Sequence, residues 1–125
     1  ADFNRCLTLD PKNFAALSNR AIVRKLKGEL ALALEDYNRS LALAPDRADT
    51  WFNRANLRVA QGDFAAAIAD YTESIRLQPT AKAYNNRGLV RWKMGHRQEA
   101  EQDFAAGEKV PPPKVGWAIL PQETR

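Results

Sequence analysis

The residues with most capacity for chemistry are few and solitary. His96 is the single histidine and Cys6 the single cysteine of the 125-residue chain. A catalytic zinc needs roughly three protein ligands and a structural one about four, and His96 has no partner at ligand spacing. Cys6 has no second thiol with which to form an internal disulfide. His96 follows Gly95 at a turn, where a capping or solvated role accounts for it. No Gly-rich phosphate loop and no nucleophile–base pair is spaced for catalysis. Glu35 and Glu73 recur on helix surfaces, as solvated carboxylates do. Neither catalysis nor a cofactor or metal is expected. The polar residues that do recur are arginine, aspartate and asparagine, whose chemistry is ion pairing and recognition.

Composition bounds the rest. With 45% hydrophobic and 27% charged residues, the balance is that of an ordinary globular chain. The 6 glycines and 7 prolines are too few for a collagenous or low-complexity sequence. No apolar run approaches the roughly 18 residues of a membrane-spanning helix. The start, Ala1-Asp2-Phe3-Asn4-Arg5, has no export-signal pattern, which leans toward the cytoplasm without fixing the compartment. The net charge of +4, from 19 basic and 15 acidic side chains, mildly favours acidic partners.

The elements that position these residues form a repeat. Prolines stand at Pro11, Pro45 and Pro79, and Asn-Arg pairs at Asn19-Arg20, Asn53-Arg54 and Asn86-Arg87. Glycines stand at Gly28, Gly62 and Gly95, and aromatics at Phe3, Tyr37, Tyr71 and Phe104. The steps are 34 residues, shortened to 33 between Pro79 and Asn86, where a turn absorbs a deletion cheaply. The chain divides into a remnant at 1–11, full units at 12–45, 46–79 and 80–112, and a tail at 113–125. Each unit reads as two helices, Ala48 to Ala60 and Phe64 to Leu77 in the middle one, with Gly62 turning the chain and Asp63 capping. No segment alternates as a strand does. In an antiparallel hairpin, residues at one height have a constant index sum. Leu17/Tyr37 and Ala21/Ala33 share one sum, Trp51/Tyr71 and Ala55/Ala67 another, and Tyr84/Phe104 and Gly88/Ala100 a third. Large thus sits level with large and small with small, as close helix packing requires.

This pattern resembles the tetratricopeptide repeat, Trp-x2-Leu-Gly-x2-Tyr, then Ala-x3-Phe, then Pro. Leu17, Trp51 and Tyr84 fill the first slot, and Ala21, Ala55 and Gly88 the Gly slot. Ala33, Ala67 and Ala100 precede Tyr37, Tyr71 and Phe104 by four residues. The resemblance covers 1–112. It implies an all-α, right-handed α-solenoid of stacked antiparallel helix pairs, working as a non-catalytic scaffold. Its concave groove, lined by the first helices, would hold an extended or helical segment of a protein or peptide partner. The first unit would contribute Ser18, Ile22, Lys25 and Leu26; the second, Asp49, Phe52, Asn53, Asn56 and Val59. The third would contribute Lys82, Asn85, Asn86, Leu89, Trp92 and Lys93. Trp and Phe can anchor apolar groups, Asn can hold a peptide backbone, and Lys favours acidic flanks. Identical recurrence of Asn19, Asn53 and Asn86 favours a structural role for them. Of the five slots of the chaperone-tail clamp in this family, only Asn53 and Lys82 match, while Ser18, Ile22 and Asn86 do not, so chaperone-tail binding is not expected.

Departures from the motif are informative. Arg20, Arg54 and Arg87 hold the Leu slot; Arg24, Arg58 and Arg91 hold the Tyr slot. Asp36, Asp70 and Asp103 lie as far beyond each turn glycine as Arg20, Arg54 and Arg87 lie before it, so an ion pair within each hairpin is expected. In the last unit Arg97, Glu101 and Glu108 replace the apolar residues Leu30/Phe64, Leu34/Ile68 and Leu41/Ile75, as at the polar end of an array. Cys6 shares the small slot of Ser40, Ser74 and Gly107. At the other end Phe3, Leu7 and Leu9 belong to a second helix without its first, so more chain is expected N-terminal of residue 1. The tail carries an apolar run, Val115 to Leu120, expected to fold back on the last helix pair. Self-association through the open N-terminal face or the tail is the alternative reading. RNA binding through Arg24, Arg58, Arg91 and the lysines is a weaker one.

Overall fold

A computed structural model describes residues 13–111. Cys6, the 1–11 remnant and the 113–125 tail lie outside them. The described chain is six helices: α1 (Phe14–Leu26), α2 (Leu30–Leu43), α3 (Ala48–Ala60), α4 (Phe64–Leu77), α5 (Ala81–Lys93) and α6 (Arg97–Glu108). No strand occurs among the described residues, and no helix there is long and apolar enough to cross a membrane.

Local chemistry sets the helix ends. Asn13, Asp63 and Thr80 accept hydrogen bonds from the backbone N–H of Ala16, Ala66 and Ala83, satisfying donors that a helix start leaves open. α1, α3 and α5 all close the same way. Gly28, Gly62 and Gly95 take φ of +83°, +80° and +88°, a region that penalises any side chain. The next residue's N–H then reaches back to the carbonyl of Arg24, Arg58 or Arg91 at 2.8 Å in each case. That six-to-one bond reverses the chain tightly enough to start the partner helix after three residues.

The hairpins α1/α2, α3/α4 and α5/α6 pack most extensively, and α2/α3 and α4/α5 join them in series. Ser40 Oγ donates to the Phe14 carbonyl and Ser74 Oγ to the Ala48 carbonyl, both at 2.9 Å, tying the end of one helix to the start of its antiparallel partner. The small level pairs expected from the sequence meet, while Leu17 clusters with Ala16. Ala21, Ala33 and Tyr37 share one buried cluster, and Ala55, Ala67 and Tyr71 another. A Cβ on Gly88 would stand 2.7 Å from the Phe104 ring and 3.2 Å from the Ala100 carbonyl, so the small slot is needed there.

Stacking uses one residue per unit that periodicity had not singled out. Leu57 of α3 inserts into the first cluster beside Leu30 and Leu34. Val90 of α5 inserts into the second, beside Phe64 and Ile68. On α6 the equivalent outward positions are Arg97 and Glu101, both exposed.

Candidate functional site

Two polar constructions must be separated before the site can be read. The first lies inside each hairpin. Asp36, Asp70 and Asp103 are buried, and each accepts from two arginines of the preceding helix. Arg20, Arg54 and Arg87 grip their aspartate two-handed, Nε and Nη2 donating at 2.7–3.0 Å. Arg24, Arg58 and Arg91, one turn further on, donate to the same carboxylate at 3.0, 3.1 and 2.9 Å. At Arg20 the hydrogen bond to Asp36 holds the guanidinium above its ordinary pKa, although burial pulls it down. The expected ion pair is therefore present and is an Arg–Asp–Arg triad. Its second arginine has the same three-fold recurrence as the first and could have been found from it.

These forks also couple the units. Arg54 Nη1 donates to Asn38 Oδ1 at 2.8 Å, and Arg87 Nη1 to Thr72 Oγ1 at 2.9 Å, each reaching back to the preceding hairpin. The Arg54 guanidinium stacks 4.9 Å over the Trp51 ring and Arg87 5.6 Å over Tyr84. The arginines considered for RNA phosphates are thus held by carboxylates inside the fold.

The second construction is the face presented by α1, α3 and α5. Of its apolar residues, Ile22 is 39% exposed, Leu89 54%, Trp92 45% and Leu26 80%. Val59 is half-buried against the Ala55–Tyr71–Val90 cluster. Lys82, Asn85 and Lys93 are exposed and Lys25 half-buried. Arg97 lies 4.9 Å over the Trp92 ring, holding it at the edge.

Phe52 and the asparagines differ from expectation. Phe52 packs on Tyr71, ring centroids 5.8 Å apart, and on the core cluster, so it is as much a structural residue as a surface one. Asn56 Oδ1 accepts from the Tyr71 hydroxyl and, at 3.1 Å, from Asn86 Nδ2. Burial pushes the Tyr71 phenol up to about 12, with Asn86 pulling the other way, so the hydroxyl keeps its proton. Of the recurring Asn19, Asn53 and Asn86, Asn86 bonds Asn56, while Asn19 is exposed and Asn53 half-buried.

At the N-terminal ends of α3 and α5 a cavity of about 480 Å³ opens. Asp49, Phe52 and Lys82 line it, with Ser74, Gln78, Val110 and Pro111. His96 is exposed, begins α6 without a side-chain capping bond, and lies 3.7 Å from Glu99.

Known proteins are consistent with this architecture. A crystal structure of MamA superposes with a TM-score of 0.82 at 23% identity, over 86% of this chain and 63% of that one. The chain thus spans somewhat under two thirds of the length of that protein. A second MamA crystal structure gives 0.79 at 24% identity, over 84% of this chain and 58% of that one. The second TPR of Spaghetti (RPAP3), bound to the HSP90 peptide SRMEEVD, gives 0.74 at 27% identity, over 81% of this chain and 95% of that one. No curated protein sequence matches significantly. Two sequence profiles described as tetratricopeptide repeat match residues 26–84 and 81–112. Matched over most of its length and folded as stacked helix pairs, the chain belongs to the tetratricopeptide repeat family.

Proposed function

We propose that this chain is a protein-interaction scaffold that holds a segment of a partner protein on the face formed by α1, α3 and α5, without chemistry of its own. One observation carries the reading: of the seven exposed large apolar side chains among the described residues, four, Ile22, Leu26, Leu89 and Trp92, belong to the first helices α1 and α5. Continuous exposed apolar surface is the usual mark of an interaction site, and aromatic anchors in its centre supply most of the affinity. The likeness to a peptide-bound TPR domain supports the same class of partner. RNA binding is disfavoured, since the arginines it would need are hydrogen-bonded to aspartates.

The test is a capture experiment comparing wild type with the Leu89→Ala/Trp92→Ala double variant, after both are shown to melt alike. A protein retained by the wild type and lost from the variant supports the groove; identical catches would move the interaction to another surface. Phe52 is unsuited to this test, because its truncation also opens the packing against Tyr71.

A further inference from the structure

We infer that the apolar run at 115–120 of this same chain docks in the cavity at the N-terminal ends of α3 and α5, closing that end of the array from within. This docking is independent of the face proposed above for a partner. Ile22, Leu26, Leu89 and Trp92 lie toward the opposite ends of their helices.

The cavity is assembled from segments that only stacking brings together. Phe52 comes from α3, Gln78 from the end of α4, Ala81 and Lys82 from the start of α5, and Val110 and Pro111 from the chain beyond α6. At about 480 Å³ it has the size of a ligand pocket, room for more than one side chain. Its wall is chiefly apolar, and Phe52, stacked on Tyr71, borders it. Concave apolar surface of this kind is stabilised when an apolar group displaces its water.

The occupant is identified by where the chain goes next. Val110 and Pro111 are part of the wall, and residues 112–125, outside the described ones, follow directly. Large and small apolar residues alternate there: Val115, Gly116, Trp117, Ala118, Ile119. In an extended segment that alternation gathers Val115, Trp117 and Ile119 on one side and leaves only small residues on the other. Pro113 and Pro121 bracket the run, which is shorter than the roughly 12 residues an isolated helix needs. From Pro111 to Trp117 an extended chain spans about 20 Å, enough to turn back over the wall it has just left. The tether supplies an effective concentration on the order of millimolar, so a modest apolar contact suffices.

Two features favour this cavity over the outer face of the last hairpin. That face carries Arg97, Glu101 and Glu108, all exposed, and offers an apolar run little to cover. At the cavity, Gln78 and Lys82 are exposed. The Gln78 amide suits the backbone of an extended segment, and Lys82 suits Glu123, the one acidic side chain in 112–125. A partner segment running from Leu89 toward Phe52 then has to displace the run, so this end of the array opens only when the tail leaves.

The experiment is limited trypsin digestion of the intact chain, with nuclear Overhauser contacts as a second readout. Cleavage after Lys114 should be about tenfold slower in the wild type than in Trp117→Ser/Ile119→Ser, once both are shown to melt alike. Leu89→Ala/Trp92→Ala should keep the wild-type protection, which separates this docking from the partner face. The Trp117 indole should show contacts to Phe52 and Val110. Equal cleavage of the wild type and the tail variant would overturn the docking. So would Trp117 contacts to Tyr84 and Phe104 of the last hairpin, or protection lost in Leu89→Ala/Trp92→Ala. Contacts to Phe52 seen only between labelled and unlabelled copies would assign the run to a second molecule and overturn it as well.

Discussion

The seam inside each hairpin and the floor of the groove are built from adjacent turns of the same helices, yet they follow opposite rules. In the seam, Arg20/Arg24/Asp36 is repeated residue for residue by Arg54/Arg58/Asp70 and Arg87/Arg91/Asp103, with Arg58 donating through Nε where Arg24 and Arg91 use Nη1. On the floor, equivalent positions hold Ile22, Asn56 and Leu89, or Lys25, Val59 and Trp92, a polar side chain among apolar ones at each level. What every unit needs in order to close is repeated; what only the assembled array presents is free to differ. The seam must also be complete at each copy, because a buried carboxylate cannot be left unpaired. A solvated floor position carries no such penalty.

The sharpest break of that contrast is Asp70→Ala, which leaves Arg54 without its carboxylate and Arg58 with only the exposed Asp63 at 3.8 Å. It should cost about 3–5 kcal/mol in urea unfolding. Arg54→Leu, which strips Asp70 of its two-handed partner and removes the bridge to Asn38, should cost on the order of 3 kcal/mol. An unchanged midpoint in either case would mean that the triads do not hold the hairpin. Exchanging the whole triad, Arg54→Leu/Arg58→Leu/Asp70→Leu, should recover most of that loss, since an apolar replacement leaves no orphaned charge.

Floor changes should behave in the reverse manner. Leu89→Ala/Trp92→Ala should move stability by only about 0.5 kcal/mol, as surface substitutions do, while weakening partner binding by about 2 kcal/mol or more. A large fall in melting temperature would show that Leu89 and Trp92 belong to the core and not to a binding face.

A pH-dependent effect arises at Tyr37 and Tyr71. Burial lifts both phenols from 10.0 to about 12. A raised folded pKa gives stability that is full below pH 10 and is lost as pH rises toward about 12. Alkaline titration should thus show a loss of stability confined to that window, and Tyr71→Phe should reduce it. Loss beginning well below pH 10 would place the cause elsewhere.

Much of this fold was legible in one sequence because each unit closes on itself within its own 34 residues. Gly62, Asp63 and the level pairs Trp51/Tyr71 and Ala55/Ala67 are local facts, and Arg54–Asp70 is a contact across a single turn. Leu57 and Val90 were less visible. They are apolar residues on helices already read as apolar, and only the neighbouring unit makes them the stacking plug. The groove was legible as a face but not as a chemistry. Phe52 reads as a free anchor until Tyr71 is placed against it, and Asn56 as a free amide until Tyr71 and Asn86 are.

By itself the sequence determined the period, the helix pairs, their register and the pairing of Arg20, Arg54 and Arg87 with aspartate. Those depend on turn chemistry and on side chains facing each other across one hairpin. Only the tertiary structure decided which polar groups remain available to a partner. Availability at Asn56 is settled by one residue of its own hairpin and one of the next unit, 15 and 30 residues away. No local pattern records whether such groups meet, because the stacking angle of one hairpin on another is set by the packing of Leu57 and Val90 between them.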